Sequence, residues 1–145
     1  MRDDDLPPLR FRPHLVERPW GGTALQRLLQ RSDELGVAIG ESWELSDLPS
    51  HVSCVAGGVH AGTSLRTLVE RYPDQLLGRS EGRARGDGRF PLLVKFLDVA
   101  DRLSLQVHPD DELARCREGL SRGKSEAWWV MEAQPEAFVL LGSRD

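Results

Sequence analysis

Between Leu103 and His108, apolar and polar residues alternate without a break: Leu103, Leu105 and Val107 against Ser104, Gln106 and His108. A period of two is the signature of a strand with one apolar and one polar face. Such a segment has to enter a sheet, which biases the whole chain toward a β architecture. The polar face carries Gln106 and His108 two residues apart, and Pro109-Asp110-Asp111 ends the run. Further on, Gly123-Lys124-Ser125-Glu126-Ala127-Trp128 supplies a carboxylate at Glu126. An imidazole nitrogen, an amide oxygen and a carboxylate oxygen suit a borderline metal such as zinc. A lone histidine is also a common structural residue, and Ser104 and Gln106 equally fit the wet face of an antiparallel sheet. Spacing alone leaves both readings open.

The chain has 145 residues, enough for one compact domain with a real core, and no repeat or linker divides residues 1–145. Apolar residues make up 39% and charged residues 29%, which excludes a disordered chain. A net charge of −4 favours neither nucleic acid nor an anionic membrane surface as partner. Cys54 and Cys116 are isolated, so thiolate zinc fingers are excluded and the thiols read as reduced in a cytoplasmic protein. The start, Met1-Arg2-Asp3-Asp4-Asp5, lacks the chemistry of a signal peptide, and the apolar runs are too short to span a membrane. Gly82, Gly86 and Gly88 have neither the spacing nor the preceding strand of a phosphate-binding loop.

The proline-rich residues 1–22 read as an irregular arm with a short strand near Leu9–Phe11. Thr23 suits the cap of a helix carrying Leu25, Leu28 and Leu29 and ending near Gly36. Alternation over 40–46 predicts a strand, and His51–Val55 another after the Pro49 turn. Thr63 or Ser64 caps a helix with Leu65, Leu68 and Val69 on one face, stopped by Pro73. Residues 79–89 form a loop of arginines and glycines, more in keeping with solvated charge than with an anion site. Strands are expected over Phe90–Val99, Arg102–His108, Glu126–Met131 and Ala137–Leu141, with a short helix from Asp110 to about Arg117. The fold class is mainly β with short helices, in a sandwich or barrel.

The segments Trp20-Gly21-Gly22, Gly40-Glu41-Ser42-Trp43-Glu44, Gly62-Thr63-Ser64-Leu65 and Phe90-Pro91-Leu92-Leu93-Val94-Lys95 occur here in order, followed by Leu105-Gln106-Val107-His108-Pro109 and Gly123–Trp128. In these motifs the chain resembles the type I mannose-6-phosphate isomerases, zinc enzymes of the cupin superfamily, in their short bacterial form. The resemblance implies a cupin-type jelly roll, incomplete at the C-terminus. It implies one zinc ion held by Gln106, His108 and Glu126, with Lys124 in the substrate site as a catalytic cation. Ser104, Lys95, Glu41 and Trp20 match residues that bind substrate in the family's pocket. Trp20 equally suits core packing, Glu41 a surface strand position and Lys95 a snorkelling side chain. The family's fourth ligand, a histidine on a later strand, and its catalytic arginine have no match; His14, His51 and His60 lie in other contexts. Water can complete a three-ligand site.

The function so implied is interconversion of mannose 6-phosphate and fructose 6-phosphate through a cis-enediol. The alternative is a truncated cupin-like module that binds zinc or a sugar phosphate without turnover. The sequence leaves the oligomeric state open.

Overall fold

The structure is a computed structural model, which describes residues 6–29, 37–78, 88–119 and 123–142. It divides into two compact units, Met1–Leu105 and Gln106–Asp145.

The first unit is built on a three-stranded antiparallel sheet in the order β1 (His14–Gly22), β2 (Ile39–Leu45), β5 (Val94–Leu97). β2 is central, and Ile39 to Ser42 are buried along it. The arm expected to be irregular is instead, from His14 onward, a nine-residue strand. Its Pro19 lacks a backbone donor, which would break a central strand but is tolerated because β1 is an edge. Val16 pairs with Glu41 but Glu17 with Ile39, so Gly40 is the extra residue of a bulge in β2. The expected strand at Leu9–Phe11 reduces to one bridge between Phe11 and Val55.

Gly21 and Gly22 have steric causes. A Cβ on Gly21 would lie 2.6 Å from the Gly40 backbone nitrogen, and one on Gly22 would meet the Asp98 carboxylate. The space left at Gly22 lets Asp98 Oδ2 accept from the Leu25 backbone N–H at 3.0 Å. Asp98, not Thr23, therefore serves the start of α1 (Ala24–Leu28): Thr23 occupies the cap position but its side chain makes no capping bond. The expected continuation of this helix toward Gly36, and residues 79–87 of the arginine loop, lie outside the described residues.

A small hairpin follows β2: β3 (Asp47–Leu48) and β4 (His51–Val52). Its buried serines are satisfied locally, with Ser46 N donating to Ser53 Oγ at 2.9 Å and Ser46 Oγ donating to the His51 carbonyl at 2.8 Å. α2 (Leu65–Arg71) begins at Ser64, whose hydroxyl accepts from Thr67 N at 3.1 Å, a cap typically worth about 1 kcal/mol. Leu65, Leu68 and Val69 form the buried stripe that the spacing predicts and join Leu25, Ile39 and Val55 in the core. Pro73 does more than stop a helix: α2 ends at Arg71, and Pro73 opens α3 (Pro73–Leu77) from its first turn.

Asp47 ties these parts together. Its side chain is fully buried and accepts from Arg66 Nε at 3.0 Å and Nη2 at 2.8 Å, and from Phe90 N at 2.8 Å. Arg89 of the arginine-rich stretch donates to the Asp47 carbonyl at 3.4 Å.

Among its described residues the second unit contains one helical stretch. Asp110 caps α4 (Asp111–Leu113) by accepting from Leu113 N at 2.8 Å, and the helix widens into a π-turn, Ala114–Glu118, that ends at left-handed Gly119. The strands expected over Arg102–His108, Glu126–Met131 and Ala137–Leu141 are not formed. An alternating pattern fits a segment for a sheet, but a strand exists only when its amides pair. No strand ladder includes these segments among the described residues, and Leu105 and Leu141 are more than nine-tenths exposed. The mainly β class with short helices holds, without a closed barrel among the described residues. No helix there is long and apolar enough to cross a membrane.

Three rings from β1, β2 and β4 meet on the sheet. His14 stacks on His51 at 3.9 Å, and Trp43 meets both edge-on. The His51 Nε2 is buried without a hydrogen-bond partner among the described residues. Burial first, and then the neighbouring His14, push the His51 pKa below its ordinary 6.5. The unfolded chain therefore binds a proton at a higher pH than the folded one, so stability falls as pH drops from 6.5 toward the folded value. The melting temperature is expected to be level above about pH 7.5 and to decline below 6.5. His51→Phe, which keeps the stack and removes the proton, should shrink that decline. A melting temperature that rises on acidification through 6.5 contradicts this assignment.

Candidate metal and phosphosugar site

In the second unit the two motifs are brought together by a backbone contact. Lys124 N donates to the Pro109 carbonyl at 3.2 Å, and Gly123 N donates to Asp111 Oδ1 at 2.9 Å. A Cβ on Gly123 would collide with the Pro109 carbonyl and lie 2.6 Å from the Asp110 carbonyl carbon, so only glycine permits this approach. It delivers Glu126 to His108: Nε2 and Oε2 are 2.9 Å apart. Lys124 Nζ lies 2.8 Å from Glu126 Oε1, and Trp128 Nε1 donates to Oε2 at 3.3 Å. Residues 124, 126 and 128 thus share one side, as their spacing of two predicts, although no ladder forms there.

The hydrogen bond from Lys124 is the largest influence on Glu126. Burial works against it, His108 and Trp128 reinforce it, and the pKa falls to about 2. Glu126 is therefore a carboxylate at any physiological pH, the form that binds a cation. Two donors sharing a tetrahedral ion at about 2.1 Å lie roughly 3.4 Å apart, so the observed 2.9 Å needs only a small opening. Gln106 is exposed, two residues before His108. No set of three or more His, Cys, Asp or Glu side chains is grouped for a metal among the described residues. The converging pair is thus one nitrogen and one carboxylate, with a lysine on the carboxylate's other oxygen.

In the first unit, Glu41 of β2 is the centre. Its Oε2 accepts from Trp43 Nε1 at 2.6 Å and its Oε1 from Arg18 Nε at 3.1 Å, while Lys95 Nζ lies 3.7 Å from Oε1. Burial raises the Glu41 pKa, but the bonds from Trp43 and Arg18 and the charges of Lys95 and Arg18 outweigh it, and the net shift is downward. Glu41 is buried, not the surface residue its position on a strand allowed. Trp20 lies over Gly40 beside the Arg18 side chain, half-buried. Ser104 is exposed at the end of this unit. A cavity of about 410 Å³ in the same unit, lined by Leu6, Phe11, Leu45, Leu65, Gln75 and Phe90 among others, shares no residue with the Glu41 cluster.

Sequence reasoning missed Arg18, Trp43 and Trp128 as partners of the two carboxylates. The signal was present: each tryptophan stands two residues after its glutamate, and Arg18 two before Trp20.

The family profile described as phosphomannose isomerase type I, catalytic domain, matches residues 9–138. The chain is 38% identical over 140 residues to mannose-6-phosphate isomerase ManA of Bacillus subtilis (strain 168), covering 93% of this chain and 40% of that protein. It is 36% identical over 140 residues to the mannose-6-phosphate isomerase of Streptococcus mutans serotype c, with 93% and 40% covered. The chain therefore spans about 40% of the length of these curated relatives. Among solved structures, a mannose 6-phosphate isomerase from Bacillus subtilis superposes with a TM-score of 0.65 at 38% identity, covering 77% of this chain and 33% of that one. A mannose 6-phosphate isomerase bound with zinc and yttrium superposes with a TM-score of 0.61 at 28% identity, covering 77% and 28%.

Gly123→Ala is expected to push Lys124–Glu126 away from His108 and weaken divalent-metal binding by about 10- to 100-fold, the usual effect of disturbing the support of a ligand. Titration of the purified variant with zinc checks this; unaltered affinity would show that the backbone contact does not set the site.

Proposed function

We infer function from family: the chain belongs to the type I phosphomannose isomerases. We propose that it is the zinc-binding part of an isomerase that interconverts mannose 6-phosphate and fructose 6-phosphate through a cis-enediol. The observation that carries this reading is the convergence of His108, Lys124 and Glu126, delivered by the Gly123 contact. Gln106, His108 and Glu126 are the proposed metal ligands. Zinc, when bound, supplies Lewis acidity toward the substrate's oxygens.

The remaining roles belong to the chain. The reaction moves a proton between C1 and C2, and negative charge develops on oxygen as the carbon acid ionises. Lys124 carries a positive charge beside Glu126 and is proposed to stabilise that oxyanion. Ser104, Lys95, Glu41 and Trp20 are proposed as substrate-binding residues, with the phosphate as the handle whose binding energy positions the sugar. Both described cysteines are free thiols, which supports a cytoplasmic setting.

A second reading is zinc or phosphosugar binding without turnover. It is favoured by the metal donors that converge: one imidazole and one carboxylate, with no third acidic, histidine or cysteine ligand among the described residues.

The deciding experiment measures zinc content and conversion of mannose 6-phosphate to fructose 6-phosphate on the same preparation. Near-stoichiometric zinc with turnover is expected, and His108→Ala should lose both, because the site loses its nitrogen donor. Zinc without turnover selects the binding module. Unchanged zinc in His108→Ala removes that residue from the site.

A further inference from the structure

Two aspartates stand side by side at the start of α4, and they do different things. Asp110 caps the helix: its Oδ1 accepts from Leu113 N at 2.8 Å, and its carbonyl accepts from Ala114 N at 3.0 Å. The local duty of an N-cap is therefore met without the side chain of Asp111. The Asp111 carbonyl also serves locally, accepting from Arg115 Nε at 2.9 Å. The Asp111 carboxylate is used elsewhere. Its Oδ1 accepts from the Gly123 backbone N–H at 2.9 Å, across twelve positions of sequence. The next amide, Lys124 N, donates to the Pro109 carbonyl at 3.2 Å. Two consecutive amides thus dock on the Pro109–Asp111 segment, one on backbone and one on a side chain. The bond to the carboxylate is the shorter, and its acceptor is charged, which makes it the stronger of the two.

We propose that Asp111 is a positioning residue of the metal site: by holding the Gly123 amide it sets the approach of Glu126 to His108. The proposal rests on the reading of His108 and Glu126 as metal ligands. Asp111 acts through the backbone of residues 123–126, which carries Glu126 as a lever carries its tip. Three extended residues reach roughly 10 Å, so a rotation of about 10° at Gly123 moves the far end by about 2 Å. Metal–donor distances hold only within about 0.2 Å. A bond at the root of the lever therefore decides whether Glu126 Oε2 and His108 Nε2 stay at 2.9 Å. Gly123 permits the approach by lacking a Cβ, and Asp111 fixes it by supplying an acceptor.

A merely structural role and a positioning role call for opposite replacements. An acidic residue in the first turn supports a helix through its charge. For that role glutamate replaces Asp111 and asparagine does not. Positioning needs an oxygen acceptor in one place. For that role asparagine replaces Asp111, because its amide oxygen takes the place of Oδ1. Glutamate does not, because the added methylene carries the carboxylate past the Gly123 amide.

The test compares the full chain with Asp111→Asn, Asp111→Glu and Asp111→Ala. Hydrogen exchange of the Gly123 amide is followed by NMR in metal-free protein, and zinc affinity is measured by calorimetric titration. Asp111→Asn is expected to keep both within about threefold of wild type, since the acceptor is retained. Asp111→Ala and Asp111→Glu should speed exchange at Gly123 by about tenfold, the effect of losing one hydrogen bond. The same two variants should weaken zinc binding by about tenfold, the lower end for a disturbed ligand support. If Asp111→Ala does not fold, the order of Asp111→Asn and Asp111→Glu carries the test alone. The reverse order, with Asp111→Glu like wild type and Asp111→Asn weakened, assigns Asp111 to the helix and overturns the proposal. Equal exchange across the series overturns it as well. Zinc bound equally by all four proteins sinks the positioning role and leaves the metal reading intact, whereas a wild type that takes up no zinc removes the metal reading and the proposal with it.

Discussion

The buried carboxylate of Asp47 sets much of the first unit. It opens β3, separated from the end of β2 by one residue, and it takes the Arg66 guanidinium of α2 and the Phe90 amide ahead of β5. One fully covered side chain thus fixes the core helix and the third strand against the central one. Removing one partner of such a pair leaves an uncompensated charge in the interior, which typically costs about 3–5 kcal/mol. The consequence reaches the Glu41 cluster. Phe90 is five residues before Lys95, and the register that opposes Lys95 to Trp43 places the ammonium near Glu41. Asp47 touches no proposed ligand, yet the placement of Lys95 depends on it.

Each unit carries the same local device, a glutamate followed two residues later by a tryptophan whose indole N–H returns to the carboxylate. A spacing of two puts both side chains on one side, and the indole is a donor only, so it fixes an acceptor without competing for cations. What differs is the rest of the shell. At Glu41 two cations and burial in the sheet leave no oxygen without a donor, and the residue acts as a counter-charge. At Glu126 the partners are a histidine and a lysine, and the carboxylate keeps its charge while remaining partly accessible. The same pair of residue types thus supports a buried carboxylate with both oxygens bonded in one place and a candidate metal ligand in the other.

The elements legible in the sequence were those whose stabilising partners are near in sequence. The stripe Leu65, Leu68, Val69 with its Ser64 cap, and the Asp110 cap of α4, are local features and appear as read. β1 was hidden because Pro19 forbids a central strand, and only the strand order reveals that it lies at an edge. Arg102–His108 shows the opposite failure. Its alternation is a strong period-two pattern, but pairing is a long-range condition that periodicity does not supply. The same division holds for the site residues. The side shared by Lys124 and Glu126 follows from a spacing of two, whereas Arg18 at Glu41 depends on a bulge between two strands that no local pattern announces.

Both clusters depend on a glycine that acts through the side chain it lacks. Gly40 leaves room for the Arg18 stem and the Trp20 ring, and Gly123 lets its own backbone lie against Pro109 and Asp110. In each case a charged pair is decided by a steric permission next to it. Ion pairs at partly exposed positions contribute little on their own, commonly below about 1 kcal/mol. A crowded Cβ costs more, about 1–3 kcal/mol when neighbours must shift. The clash therefore outweighs the attraction, and an alanine at either glycine would displace the charges rather than be drawn in by them. That inequality gives a physical reason why Gly40-Glu41 and Gly123-Lys124-Ser125-Glu126 work as units: the carboxylate reaches its partners only where the glycine has cleared the way.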